Sequence, residues 1–129
     1  MLKALSAFSG LSVDDSEKAK EFYVDKLGLK VLDETMGLQL ELPGGGQLFV
    51  YDKPDHQPAS YTVLNFVVED IDETVDHLVS EHDIVLERYD NMPGPQDEKG
   101  ILRGKAAKMG PDIAWFKDPA GNILSVLSN

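Results

Sequence analysis

One strand–turn–strand unit occurs twice in this chain, and that duplication limits the possible fold more than any other feature. Near the C-terminus two runs of strand-forming residues, Ile113 to Phe116 and Ile123 to Leu127, flank Asp118-Pro-Ala-Gly-Asn122. Proline presets one turn dihedral and glycine supplies a positive φ, so the stretch reads as a β-hairpin. Earlier, Leu38-Gln-Leu-Glu-Leu42 and Gln47-Leu-Phe-Val-Tyr51 flank Pro43-Gly-Gly-Gly46 in the same way.

Each hairpin follows a strand, a helix and a second strand. Residues 4–13 predict the first strand. Asp14 and Asp15 supply a helix N-cap, with Glu17 placed as capping-box partner to Asp14; Ala19, Phe22, Tyr23 and Leu27 recur at helical spacing until Gly28 ends the helix. A strand is expected at about residues 30–33. The second copy has a strand at residues 64–68, a capping box of Asp70 and Glu73, a helical stripe of Ile71, Val75, Leu78 and Val79, and a short strand at Ile84 to Leu86. The interval from Val68 to Pro119 is about 21 residues longer than that from Val13 to Pro43, so the second copy carries an insertion, placed at residues 89–111. Its glycines and prolines predict a lid-like or disordered loop.

The expected fold class is therefore α+β: two paired βαβββ modules forming a curved, trough-like mixed sheet. They make a single domain over 1–129, with module 1 at about 1–53, a Pro-rich linker at 53–60 and module 2 at about 61–129. Each sheet carries a helix on one face, and the other faces would line a trough suited to a ligand.

Composition narrows the function. A net charge of −11, with no basic cluster to offset it, opposes nucleic-acid backbones. The longest apolar run is too short for a membrane span, and the first residues do not read as a signal peptide. The absence of cysteine removes disulfides, thiolate nucleophiles and Cys-based metal sites. A cytoplasmic protein without a membrane or nucleic-acid partner is expected.

The doubled unit, the strand ending Val13-Asp-Asp, the helix ending Phe22-Tyr-Val-Asp-Lys-Leu-Gly28 and the turn Asp118-Pro-Ala-Gly-Asn122 together resemble the glyoxalase/bleomycin-resistance/extradiol-dioxygenase (vicinal oxygen chelate) superfamily. The resemblance covers nearly the whole chain. It implies paired βαβββ modules, a homodimer and, in the enzymes, a divalent metal held by His, Glu or Gln. The corresponding places here read Phe8 and Val63 in the opening strands, and about Val50 and Ser125 in the late strands. Phenylalanine and valine have no lone pair to give a cation, and a serine hydroxyl is a poor ligand, so no metal or other cofactor is expected there. His77 and His82 stand five apart, which on a helix turns them to different faces, and with His56 they read as solvated surface residues.

Strand alternation assigns Phe8, Gln39, Glu41, Val50, Val63, Asn65, Ile113, Trp115 and Ser125 to the trough. Trp115 offers a stacking surface, Asn65, Gln39 and Glu41 orient a ligand, and Trp115 and Phe8 serve equally well as core. Glu41 alternates with leucines and must face water, a partner or a ligand; partly buried, it is a candidate general base. Arg103, in the insertion, is a candidate clamp for an anion or carbonyl and equally a surface arginine. Three functions follow: a metal-independent homodimer binding a small organic molecule; a lyase, isomerase or dioxygenase-like enzyme using a relocated metal or Glu41; and a non-catalytic dimeric interaction module.

Overall fold

Alternation of Leu38 and Leu40 with Gln39 and Glu41 produces a strand with one buried face and one accessible face, and the same division runs through the sheet around it. The computed structural model describes residues 1–92 and 94–129, in two units, Met1–Pro58 and Ala59–Asn129. In the first, β1 (Ser9–Val13) leads to α1 (Ser16–Lys20), which continues as a π-helical turn, Glu21–Lys26, and then to β2 (Lys30–Asp33), β3 (Leu38–Glu41) and β4 (Gln47–Asp52). The sheet order is β1-β4-β3-β2, with β1 parallel to β4 and the other pairs antiparallel.

Leu11, Val13, Leu38, Leu40, Leu48 and Val50 are buried on one sheet face, and α1 packs against β4, with Ala19 buried on α1 and Phe22 and Tyr23 on the π turn. Removing each large side chain from water contributes about 1.5–3 kcal/mol. The opposite face carries Gly10, Ser12, Gln39, Glu41, Phe49 and Tyr51. Val50 pairs with Leu11 and Leu38 and thus belongs to the core, contrary to the expected trough position; the strand runs one residue out of phase with that expectation, and Phe49 and Tyr51, stacked 5.6 Å apart, face the other side. Two boundaries also move. The first strand begins at Ser9 because Ser9 already pairs with Leu48, near the start of β4, and residues 4–8 have no ladder partner. Of the two expected aspartates the cap is Asp15, whose carboxylate accepts from the Glu17 and Lys18 amides at 3.1 Å, so Glu17 is the second residue after the cap and not the capping-box partner of Asp14.

The second unit repeats this topology: β5 (Thr62–Val67), α2 (Ile71–His82), β6 (Leu102–Arg103), β7 (Asp112–Lys117) and β8 (Ile123–Ser128), ordered β5-β8-β7-β6 with β5 parallel to β8. Asp70 caps α2 through the Glu73 amide at 3.0 Å. In the β7–β8 turn, buried Asp118 accepts from the Ala120 and Asn122 amides at 2.9 Å, which fixes the hairpin. Ile84 to Leu86 is not a strand. Asp83 closes α2 in the left-handed region (φ 55°), the Ile84 amide returns to the Leu78 carbonyl, and Ile84 is buried as the apolar residue of a helix C-cap. The edge strand beside β7 is β6, inside the insertion.

That insertion is fastened at many points. Gln96 bonds the carbonyls of Glu87 and Gly100 and the amide of Tyr89; Arg88 donates to the carbonyls of Asp97 and Glu98; Ile101 is fully buried. Among the described residues no helix is long and apolar enough to cross a membrane.

Candidate functional site

Side chains of directly paired residues share a sheet face, so the pairing Trp115–Ser125–Asn65 across β7, β8 and β5 sets these three in one row opposite the helix-covered face. The row is internally bonded. Ser125, fully buried, donates its hydroxyl to Asn65 Oδ1 at 2.5 Å, and the indole N–H of Trp115 donates to Thr62 Oγ1 at 3.1 Å. Tyr89, carried in by the insertion, sets its ring edge-on to Trp115 with centroids 5.6 Å apart. The backbone beside it is held by the Glu87 amide, which donates to the Trp115 carbonyl.

The Tyr89 hydroxyl is buried and has no hydrogen-bond partner among the described residues, an arrangement that costs about 1–3 kcal/mol if nothing satisfies it. Burial, reinforced by the negative charge of Glu87 and opposed by Lys117, raises its pKa above 10.0, so near neutral pH it is a proton donor. Tyr89 also lines a depression of about 530 Å³ with Arg88, Asp90, Met92, Gly94, Pro95 and Gln96. The arginine and the glutamine there are already engaged with backbone groups, whereas the phenol has no partner among the described residues. Composition gave no hint of Tyr89, because only tertiary packing brings it to Trp115.

The other expected site residues fall in different surroundings. Phe8 precedes β1, is 63% exposed and meets Phe49 edge-on at 6.4 Å. Gln39 donates to Gln47 at 3.0 Å on the accessible face of the first unit's sheet. Glu41, paired with Lys30 and Gln47 across the ladders, is exposed. Val63 is half-buried where the β5 register shifts. Ile113 lies beside Trp115's row, paired with Leu127.

Arg103 does not present a free guanidinium to a ligand. It forms a two-pronged contact with Asp72 (2.7 and 3.0 Å) and a third bond to Asp97 (2.9 Å), while Lys99 reaches Asp72 at 3.2 Å and Asp76 at 3.0 Å. The candidate anion clamp is a strap between the insertion and the start of α2. Its hydrogen bonds, with those of Lys99, hold the Asp72 carboxyl far below the usual carboxylate range. Burial alone would raise Asp97, but bonds from the Ile101 amide and Arg103 outweigh it and lower its pKa. A depressed folded-state value means that Asp72 stabilises the fold above its ordinary value of 3.8 and loses that contribution as pH falls through the folded value. Asp72→Asn is expected to cost about 1 kcal/mol at neutral pH after solvent screening. The gap from the parent should narrow in acid, which urea melts near pH 7 and pH 3 will test; a gap independent of pH would assign the loss to something other than charge.

The positions where the family places metal ligands do not fit a cation. Phe8, Val63 and Val50 carry no side-chain donor atom, the neighbours of Val50 offer none in Phe49 and only a phenol oxygen, not among the usual zinc, calcium or magnesium ligands, in Tyr51, and the Ser125 hydroxyl is given to Asn65. Among the described residues, the group of His, Asp or Glu side chains able to converge on one ion is His77, Glu81 and His82 on α2, away from this row. Their convergence corrects the expectation that His77 and His82 face apart: the rings lie 5.5 Å apart.

Comparison with known proteins agrees with the doubled topology. Residues 6–126 match the model of the Glyoxalase/Bleomycin resistance protein/Dioxygenase superfamily. Similar solved structures include TnmS3, an antibiotic binding protein from Streptomyces sp. CB03234 (26% identity, 98% of this chain and 98% of that chain, TM-score 0.66). Another is a superfamily member from Sphaerobacter thermophilus DSM 20745 (25% identity, 99% and 100%, TM-score 0.68). The Oxidase ChaP-H2 shares the fold at 21% identity, over 98% and 95% of the two chains, with a TM-score of 0.68. No curated protein matches the chain. With two βαβββ modules in the structure and a family match that spans nearly all of its length, this chain belongs to the glyoxalase/bleomycin resistance protein/dioxygenase superfamily.

Proposed function

We propose that this chain binds a small, partly aromatic organic molecule against the Tyr89–Trp115 corner of its second unit, without the metal used by enzymes of the superfamily. The observation that carries this reading is the buried Tyr89 hydroxyl, a donor with no acceptor among the described residues, held beside a large aromatic ring and next to a depression of ligand size. A ligand carbonyl or ether oxygen would satisfy that donor while the ligand's apolar part lies along Met92 and Pro95. The antibiotic-binding relative, similar over nearly its full length, supports a binder over a catalyst. Glu41 lends the enzymatic alternative little, since an exposed acid lacks the desolvation that would fit it for base catalysis.

The test is a thermal-shift and calorimetric screen with aromatic carbonyl compounds such as naphthoquinones, coumarins and flavones, on the parent and on Tyr89→Phe. A binding compound should lose about tenfold in affinity in the variant, the worth of one hydrogen bond. In the absence of ligand, Tyr89→Phe should be as stable as the parent or up to about 1 kcal/mol more stable, because it removes an unsatisfied buried group. A destabilised variant, or equal affinity for every compound that binds, would show that the phenol already has a partner and would defeat the reading.

A further inference from the structure

We infer that the C-terminal end of α2 is a divalent-cation site, formed by His77, Glu81 and His82 and suited to zinc or another borderline ion with imidazole and carboxylate preferences. The donor atoms of the three side chains all lie within 4.8 Å of one another. Helical geometry accounts for only part of this. His77 and Glu81 are four apart and share a face, and their 3.0 Å contact is an ordinary side-chain pair of a helix surface. His82 is five from His77, about 140° around an ideal helix, where the ring would point elsewhere. Instead it turns back to meet the His77 ring edge-on.

Two imidazoles and one carboxylate within this reach form a neutral-nitrogen and anionic-oxygen donor set of the kind that holds zinc, with a fourth position left to water. Ideal tetrahedral coordination brings donors to roughly 3.3 Å from one another. His77 and Glu81 are exposed and His82 half-buried, so closing that distance takes side-chain rotation and no movement of the backbone. The position also favours a cation. His82 is the last residue of a 12-residue helix, where the unpaired carbonyls concentrate negative partial charge, and the protein as a whole carries −11. This site is separate from the place the superfamily reserves for its metal, and it does not depend on the ligand reading for Tyr89.

Chelator-treated protein titrated with zinc chloride in a calorimeter should bind one equivalent per chain, with a rise in Tm as the ion ties down the last turn of α2. Cobalt(II) should give visible ligand-field bands on binding at the same stoichiometry. His77→Gln and His82→Gln should each weaken zinc binding by about tenfold or more, and the double variant should abolish both the heat and the Tm rise. Circular dichroism of these surface variants should be unchanged in the absence of metal, which separates lost coordination from lost fold. Absence of saturable zinc binding by the parent, or equal binding by the double variant, would overturn the site.

Discussion

Ile101→Ala should lower the free energy of unfolding by about 2–5 kcal/mol, although the residue lies in the middle of the inserted loop. Ile101 is fully buried, its amide donates to the Asp97 carboxylate and its carbonyl accepts from the Asp97 amide. Truncation leaves a cavity that this pinned backbone cannot collapse to fill. Against a total stability of roughly 5–15 kcal/mol, such a loss should lower Tm by roughly 10 °C. Urea denaturation with an unchanged slope would locate the effect in the folded state. A loss under about 0.5 kcal/mol would mean that the loop behaves as a mobile lid. The same contacts bear on removal of residues 92–108. That deletion takes away Ile101, Arg103 and the whole of β6, so it should unsettle the second unit's sheet instead of merely uncovering a pocket.

Trp115→Ala should cost about 3–5 kcal/mol, an effect of similar size, and should also remove ligand response. Trp115 is 8% exposed, bonded to Thr62 and packed on Tyr89, so its loss leaves a hydroxyl without its partner and a second ring without support. Because that variant confounds packing with binding, Trp115→Phe is the discriminating change. Phenylalanine keeps an aromatic contact for Tyr89 but omits the N–H and one ring, and should cost about 1–2 kcal/mol while the ligand-induced Tm shift falls by more than half. If stability drops while the ligand shift persists, the indole is core alone.

How far the residues disclose these features depends on whether their cause is local. The two hairpins were readable because proline and glycine fix turn dihedrals over a few residues, and the helix starts because an aspartate finds its amide partners within one turn. Errors appeared where a neighbour decides. Val50 lies on the buried face and not the expected one because alternation gives two faces without saying which one a helix will cover. Ile84 looked like part of a strand because an apolar residue after a helix serves equally as a C-cap contact. The candidate site was partly legible: Trp115, Ser125 and Asn65 share a row as alternation required, whereas Tyr89 entered it by way of the insertion.

Sequence by itself determined the doubled βαβββ plan, the two hairpin turns and the starts of both helices. Each of these follows from residue type and spacing along the chain. Tertiary structure alone decided that Arg103 would be bound to Asp72, 31 positions away, that the Tyr89 hydroxyl would be buried with no acceptor among the described residues, and that His82 would turn back toward His77. These depend on which distant groups packing brings within hydrogen-bonding range and which it desolvates, and neither is encoded in a local pattern.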